Sequence, residues 1–353
     1  MNCKTPLTTL IKIALITVCL IAPTYAADAA KPDLAAYQSF TFTAKHRSKP
    51  IEASLWYPAA APSETLTIGE NRIFYGRSAY NHAAIAQGKH PLVLISHGSG
   101  GHMAGLAWLA NGLAQAGALV MLLNHQSTTT GDSSARGMIL FDQRANDVKA
   151  ALDHLLQDSK IAPFIDEQHI SMLGFSLGGT TALTLAGVRF DRKAYHLHCK
   201  RLPKEPDCAF LNKEQVDLQQ LPDSWEQDLS EHRFSQMVVI EPGMGYAALP
   251  DSLQAIKIPM LLINLGTTAQ RWKTTDMAET GSNIVKLIPK AEYSVFAPAY
   301  HFTFLPECKP IGEELLREEQ DDPICTDPVG TDRAHIHQQI ITKVSQFLKL
   351  SKP

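Results

Sequence analysis

The stretch that decides the fold is His169–Leu185, HISMLGFSLGGTTALTL. A short apolar run leads into Gly174-Phe175-Ser176-Leu177-Gly178, and helix-forming residues follow. A serine between glycines at a strand-to-helix corner has two readings. One is a tight turn with an incidental serine. The other is a nucleophile elbow, where small residues two before and two after the serine let strand and helix close around it. The helix that starts there also points free backbone N–H groups at the corner. The G-x-S-x-G pattern is weak by itself. The strand before it and the helix after it favour the nucleophile.

Outward from the elbow, short apolar runs alternate with helical patterns. Pro91–Gly101 (PLVLISHGSGG) is a continuous apolar run ending in glycines, and Leu106–Gly117 has helical spacing with a glycine stop. Ala118–Gln126 is a second strand. Gln143–Asp158 is an amphipathic helix with Val148, Leu152, Leu155 and Leu156 on one face. After the elbow come strands at Met237–Gly243, Ile258–Asn264 and Glu292–Ala299, then a closing helix at Ala334–Leu350. This alternation predicts an α/β fold, a mostly parallel sheet with helices on both faces. Upstream, QSFTFTA and IEASLWYPA flank the charged turn KHRSKP and predict an antiparallel hairpin at the sheet edge. Residues 61–89 read as a mixed connector. Residues 189–235 are rich in charge, Pro, Gln and His, and are predicted to be an inserted lid or cap over the site. Residues 27–353 otherwise read as one domain.

The chain has 353 residues, 45% of them hydrophobic, with a formal net charge of -3. There is no basic footprint for nucleic acid. Lys4 and Lys12 precede the apolar run Ile13–Ala22, and Thr24 and Ala26 are small where a signal peptidase needs small residues. Residues 1–26 are therefore expected to be a secretory signal peptide; the run is short for a retained membrane anchor, the alternative reading. A lipoprotein anchor at Cys19 is disfavoured by Val18 before it and the apolar residues after it. Export, to the periplasm or beyond, leaves Cys199, Cys208, Cys308 and Cys325 in an oxidising compartment. Four cysteines allow three pairings, and the simplest is local: Cys199–Cys208 and Cys308–Cys325. A zinc site at His196, His198 and Cys199 is the rival reading, without the usual C-x-x-C spacing.

A serine hydroxyl needs a base. The chain order of such folds is serine, acid, histidine, which points to His301 in the loop after the last strand. His335 and His337 compete, but they lie two apart on a helical pattern and face different ways. His97 sits upstream beside glycines, where a structural role is expected. For the acid, Glu241 lies at the carboxyl end of its strand; Asp276 and Asp251 are the alternatives. The oxyanion donors are expected to be the backbone N–H groups of Leu177, after the serine, and Ser99, in the glycine-rich loop His97–Gly101. Neither a metal nor an organic cofactor is needed for this chemistry.

PLVLISHGSGG, RANDVKAALDHLL, GFSLGG, VVIEPGMG, HFTFL and DRAHIHQQI, in that order, resemble the bacterial exported proteins called predicted dienelactone hydrolases. These are relatives of the plasma-type platelet-activating-factor acetylhydrolases. The resemblance covers residues 38–350 and is poorest over 189–235. It implies an α/β-hydrolase fold that cleaves esters, with a triad falling on Ser176, Glu241 and His301 and oxyanion donors on Ser99 and Leu177. Two departures matter. The family acid is commonly aspartate, and true dienelactone hydrolases use a cysteine nucleophile, so the dienelactone name is no guide to substrate. The expected activity is hydrolysis of short-chain or soluble carboxylic esters through an acyl-enzyme. A lactonase, amidase or acyltransferase with the same triad is the alternative, or a non-catalytic binding protein on the same scaffold.

Overall fold

Alternation along the apolar strands divides the core into two layers. In β5 (His90–Ser96), Leu92 and Leu94 enter one layer while Val93 and Ile95 enter the other. The same parity holds in β6 (Leu119–Leu123), in the elbow strand β7 (Ile165–Phe175), in β8 (Gln236–Ile240) and in β9 (Met260–Leu265). Strands buried on both faces need helices on both faces. The computed structural model supplies them over the residues it describes, 33–350 together with Met1 and Asn2. The expected signal peptide, apart from Met1 and Asn2, lies outside the described residues.

One layer is completed by α2 (Phe141–Gln157), through Val148, Leu152 and Leu155, and by the elbow helix α3 (Leu177–Leu185). The other is completed by α1 (Ala107–Gln115) and by the closing helix α7 (Arg333–Phe347), through Ile336, Ile340 and Val344. Each such aliphatic side chain contributes about 1.5–3 kcal/mol by leaving water.

The large sheet also contains β1 (Ala35–Phe42), β2 (Ile51–Pro58), β3 (Thr65–Ile68), β4 (Arg77–Asn81) and β10 (Ala291–Phe296). The ten-stranded sheet runs β10-β9-β8-β7-β5-β6-β2-β1-β4-β3. From β10 to β6 all neighbours are parallel; β2 then pairs antiparallel with β6 and β1 with β2. The hairpin β1–β2 forms as expected but is not the edge. The 61–89 connector carries β3 and β4, which extend the sheet beyond β1. Buried Ile68 and Ala79 explain this: they complete the second layer over β1.

The register sets the site. Ser96 pairs with Gly174, Phe175 with Ile240, and Ile240 with Ile263. These strands therefore end at one level, and the 97–101 loop, Ser176 and Glu241 emerge side by side. Ligand sites of open α/β sheets lie at such strand ends.

Residues 189–235 hold α4 (Arg192–Arg201), started by the Asp191 side chain on Ala194 N–H, and α5 (Pro206–Lys213), with Cys199 and Cys208 joined between them. The segment packs on the α2 side of the sheet. Tyr195, Leu211 and Trp225 are buried in the α2-side core, Trp225 stacking on Phe141 at 4.3 Å. Most of its charged residues are exposed, while Phe190, Leu218, Leu221 and Phe234 join these three in fixing it to the core.

The second disulfide, Cys308–Cys325, closes a loop over α6 (Gly312–Glu318). Replacing both cysteines by serine is expected to lower stability by about 3 kcal/mol through a less restricted unfolded chain, read as a lower urea midpoint in the oxidised protein.

Candidate active site

Ser176 ends β7 with φ 55° and ψ -122°, a conformation side chains rarely adopt. It is held there by its surroundings. Its N–H donates to Ile240 O at 2.9 Å, and α3 starts at the next residue. A Cβ on Gly174 would stand 1.9 Å from Gly178 O, and one on Gly178 would stand 1.9 Å from Ser96 O. Both glycines are required by close backbone approach.

His301 Nε2 lies 3.1 Å from Ser176 Oγ, and its Nδ1 lies 3.2 Å from Glu241 Oε2. The ring packs on Phe175 and Trp272, with centroids 4.7 and 4.4 Å away. Glu241 is fully buried. It accepts from Leu265 N–H at 2.8 Å, from Thr275 Oγ1–H at 3.1 Å and from the Asn264 amide. A carboxylate placed in this way can hold the Nδ1–H tautomer of His301, which presents Nε2 as an acceptor towards Ser176 Oγ. The alternative acids lie elsewhere: Asp276 pairs with Arg271 at 3.1 Å, and Asp251 pairs with Arg189. His337 is buried against Trp108 and bonds Thr303 O, while His335 is exposed. Sequence reasoning did not find Asn264, Thr275 or Trp272, which no local motif marks.

Leu177 is the first residue of α3, so its N–H has no partner within the helix. Among the described residues Ser99 N–H has no acceptor either. Both belong to backbone facing Ser176. Gly98, not singled out in the sequence, lies closest: a Cβ there would stand 3.0 Å from Ser176 Cβ.

Ser176, His301 and the 98–102 loop line a cavity of about 650 Å³. Its apolar walls are Ile73 and Phe74, between β3 and β4, and Leu305, Leu316 and Ile324, in and beside the loop closed by Cys308–Cys325. These walls are joined. Tyr75 N–H donates to Glu307 O at 2.9 Å and Lys309 N–H to Ile73 O at 2.7 Å. No residue of 189–235 lines this cavity.

A second Ser/His/acid set lies behind the 97–101 loop. Ser96 Oγ is 2.8 Å from His125 Nε2, and His125 Nδ1 is 2.9 Å from Asp147 Oδ2. All three are buried, and none lines the cavity. Burial pushes the Asp147 carboxyl up, but hydrogen bonds from His125, His46 and Arg47 outweigh it and hold the carboxyl well below its usual range. Burial, with the Arg144 charge, pushes His125 down to about 4. His97 is pushed well below its usual range by the same two causes. It accepts from His125 N–H through Nε2, so its Nδ1–H donates to Gly98 O at 2.7 Å: the structural role expected for it.

Residues 87–197 match a family model described as serine aminopeptidase, S33. That span holds Ser99, Ser176 and Leu177 and stops short of Glu241 and His301. Over 128 residues the chain is 33% identical to Cutinase 2 of Thermobifida cellulosilytica and to Cutinase cut1 of Thermobifida fusca, covering 36% of this chain and 42% and 35% of those proteins. The chain thus spans less than half the length of these curated relatives. A solved ferulic acid esterase from Streptomyces cinnamoneus is similar throughout, with a TM-score of 0.60 at 15% identity, covering 92% of this chain and 91% of that one. The architecture is the α/β-hydrolase fold, as the sequence predicts.

Burial also pushes His337 down to about 3. An unfolded histidine titrates near ~6.5. For His97, His125 and His337 the folded value is the lower one, so the unfolded chain takes up protons first as pH falls. Their contribution to stability is complete above about pH 6.5 and declines from there towards each folded value, about pH 4 for His125 and about pH 3 for His337. Urea midpoints measured from pH 7.5 down to 4.5 should fall accordingly, and His337→Gln should reduce the proton uptake on unfolding by about one.

Proposed function

We propose that this protein is a serine-dependent carboxylic ester hydrolase. The observation that carries this reading is His301 placed between Ser176 Oγ and the buried Glu241 carboxylate, on a cavity open to a small substrate. Ser176 attacks the acyl carbonyl as His301 Nε2 takes its proton. Glu241 steadies the imidazolium, and the N–H groups of Ser99 and Leu177 receive the negative oxygen. His301 returns the proton to the leaving alcohol. Water, activated by the same nitrogen, then releases the acid from the acyl-enzyme. The names of the similar proteins, cutinases and a ferulic acid esterase, support ester cleavage. The motif resemblance supports the finer placement beside exported acetylhydrolase-like proteins and short-chain or soluble esters. The two disulfides support export to an oxidising compartment, periplasmic or secreted. Among the described residues no helix is long and apolar enough to cross a membrane.

A second reading is cleavage of an amide next to a free amine. It is favoured by Asp321 and Asp322, which line the cavity while no Lys or Arg does.

Activity of residues 27–353 on p-nitrophenyl esters from acetate to long acyl chains tests the first reading, with aminoacyl p-nitroanilides testing the second. Ser176→Ala should remove at least about 10³-fold of kcat. Glu241→Gln should cost about 10³- to 10⁴-fold, while Asp276→Asn in a folded protein should leave kcat within about threefold, since Asp276 serves Arg271. A folded wild type that neither cleaves these substrates nor reacts with a fluorophosphonate would leave the binding-protein reading.

A further inference from the structure

Arg144 lies on α2, beneath the site, and is 1% exposed. Its guanidinium reaches three separate segments. Nε donates to Thr181 Oγ1 at 2.9 Å, Nη1 to Thr128 Oγ1 at 2.6 Å, and Nη2 to Ser96 Oγ at 2.8 Å and to His97 O. Each acceptor has a further connection. The Thr181 hydroxyl donates to Leu177 O at 3.0 Å, within the first turn of the elbow helix. Thr128 O accepts from Gly100 N–H at 2.9 Å, in the 97–101 loop. Ser96 O–H donates to His125 Nε2, which is anchored in turn on Asp147.

The two backbone stretches tied together in this way are those that present Ser99 N–H and Leu177 N–H. They come from different strands, and their separation fixes whether both donors reach one oxygen. Arg144 lines no part of the cavity and touches none of the reacting atoms. A buried guanidinium is also a poor choice for packing alone, because its desolvation is costly and an apolar side chain of like volume would fill the space. What an apolar side chain lacks is a rigid fork of five donors that engages several acceptors at once.

We propose that Arg144 is a positioning residue for ester cleavage, clamping the 97–101 loop and the first turn of the elbow helix so that their N–H groups converge on the developing oxyanion. The proposal rests on the hydrolase reading given above. It also explains the buried Ser96–His125–Asp147 set. Ser96 accepts from Arg144 and donates to His125, and so serves as a rigid acceptor rather than a nucleophile.

The test compares oxidised wild-type protein with Arg144→Met, Arg144→Lys and Thr181→Val. The readouts are kcat and KM on a p-nitrophenyl ester, thermal midpoint, and inhibition by phenylboronic acid, which binds a serine as a tetrahedral, oxyanion-like adduct. Arg144→Met should lower kcat about 10- to 100-fold, the scale of a misplaced catalytic group, with KM changed less than about threefold. The boronate inhibition constant should rise by the factor that kcat/KM falls, because both report the same oxyanion geometry. Arg144→Lys should recover part of both, and Thr181→Val should show a smaller loss in the same two quantities. A folded Arg144→Met that keeps wild-type kcat and boronate affinity, whatever its thermal midpoint, overturns the proposal. If that variant does not fold, Thr181→Val decides, and wild-type values there overturn it equally. A wild type that is folded but inert towards esters and fluorophosphonate removes the hydrolase reading and the clamp with it; an active wild type with unaffected variants removes the clamp alone.

Discussion

The backbone of Gly178 rests directly against the carbonyl of Ser96, and the geometry around Ser176 depends on that contact. It fixes how close the elbow helix comes to the end of β5, and so how close the 97–101 loop comes to Ser176. It also keeps Ser176 in a backbone conformation that the chain would not adopt in isolation. The strain is local, while the forces that oppose it are spread across the sheet: the bond from Ser176 N–H to Ile240 O, the register of three parallel strands, and two apolar layers. Such distribution is what lets a small domain hold one residue away from its preferred angles.

The described residues contain two Ser/His/acid sets, and distance alone favours the sealed one. The Ser96–His125–Asp147 contacts, 2.8 and 2.9 Å, are shorter than the 3.1 and 3.2 Å of Ser176–His301–Glu241. Access and hydrogen-bond direction separate them. Ser176 opens onto the cavity, whereas Ser96 is sealed and already has a donor in Arg144 and an acceptor in His125. A triad is recognised by its roles as well as by its spacing.

Much of this was legible in the sequence, for identifiable reasons. The parallel strands are continuous apolar runs, so β5 to β9 stand out. The elbow is a local pattern with a local steric cause. Glu241 and His301 follow from chain order and strand ends, because the register of a parallel sheet brings successive strand ends together. The cysteine pairs are short-range, and both are present. What could not be read depends on long-range packing. The polar composition of 189–235 conceals Tyr195 and Trp225, whose burial against α2 is invisible without the partner helix. The short strands β3 and β4 lack a strong pattern and exist because β1 offers them an edge. Arg144 looks like one more charge on an amphipathic helix, and only the fold turns it inward beneath two loops.

The cavity is assembled from two kinds of chain. Its reactive side belongs to the sheet ends, while its apolar walls, Ile73 and Phe74 on one side and Leu305, Leu316 and Ile324 on the other, hang outside the sheet and are laced to each other. Shape and reactivity are therefore separable variables in this molecule. A change at Phe74 or Leu316 alters the volume of the cavity and leaves untouched the contact between Gly178 and Ser96. For lineage divergence, and for anyone redesigning the protein, the walls form a tunable module mounted on a fixed engine.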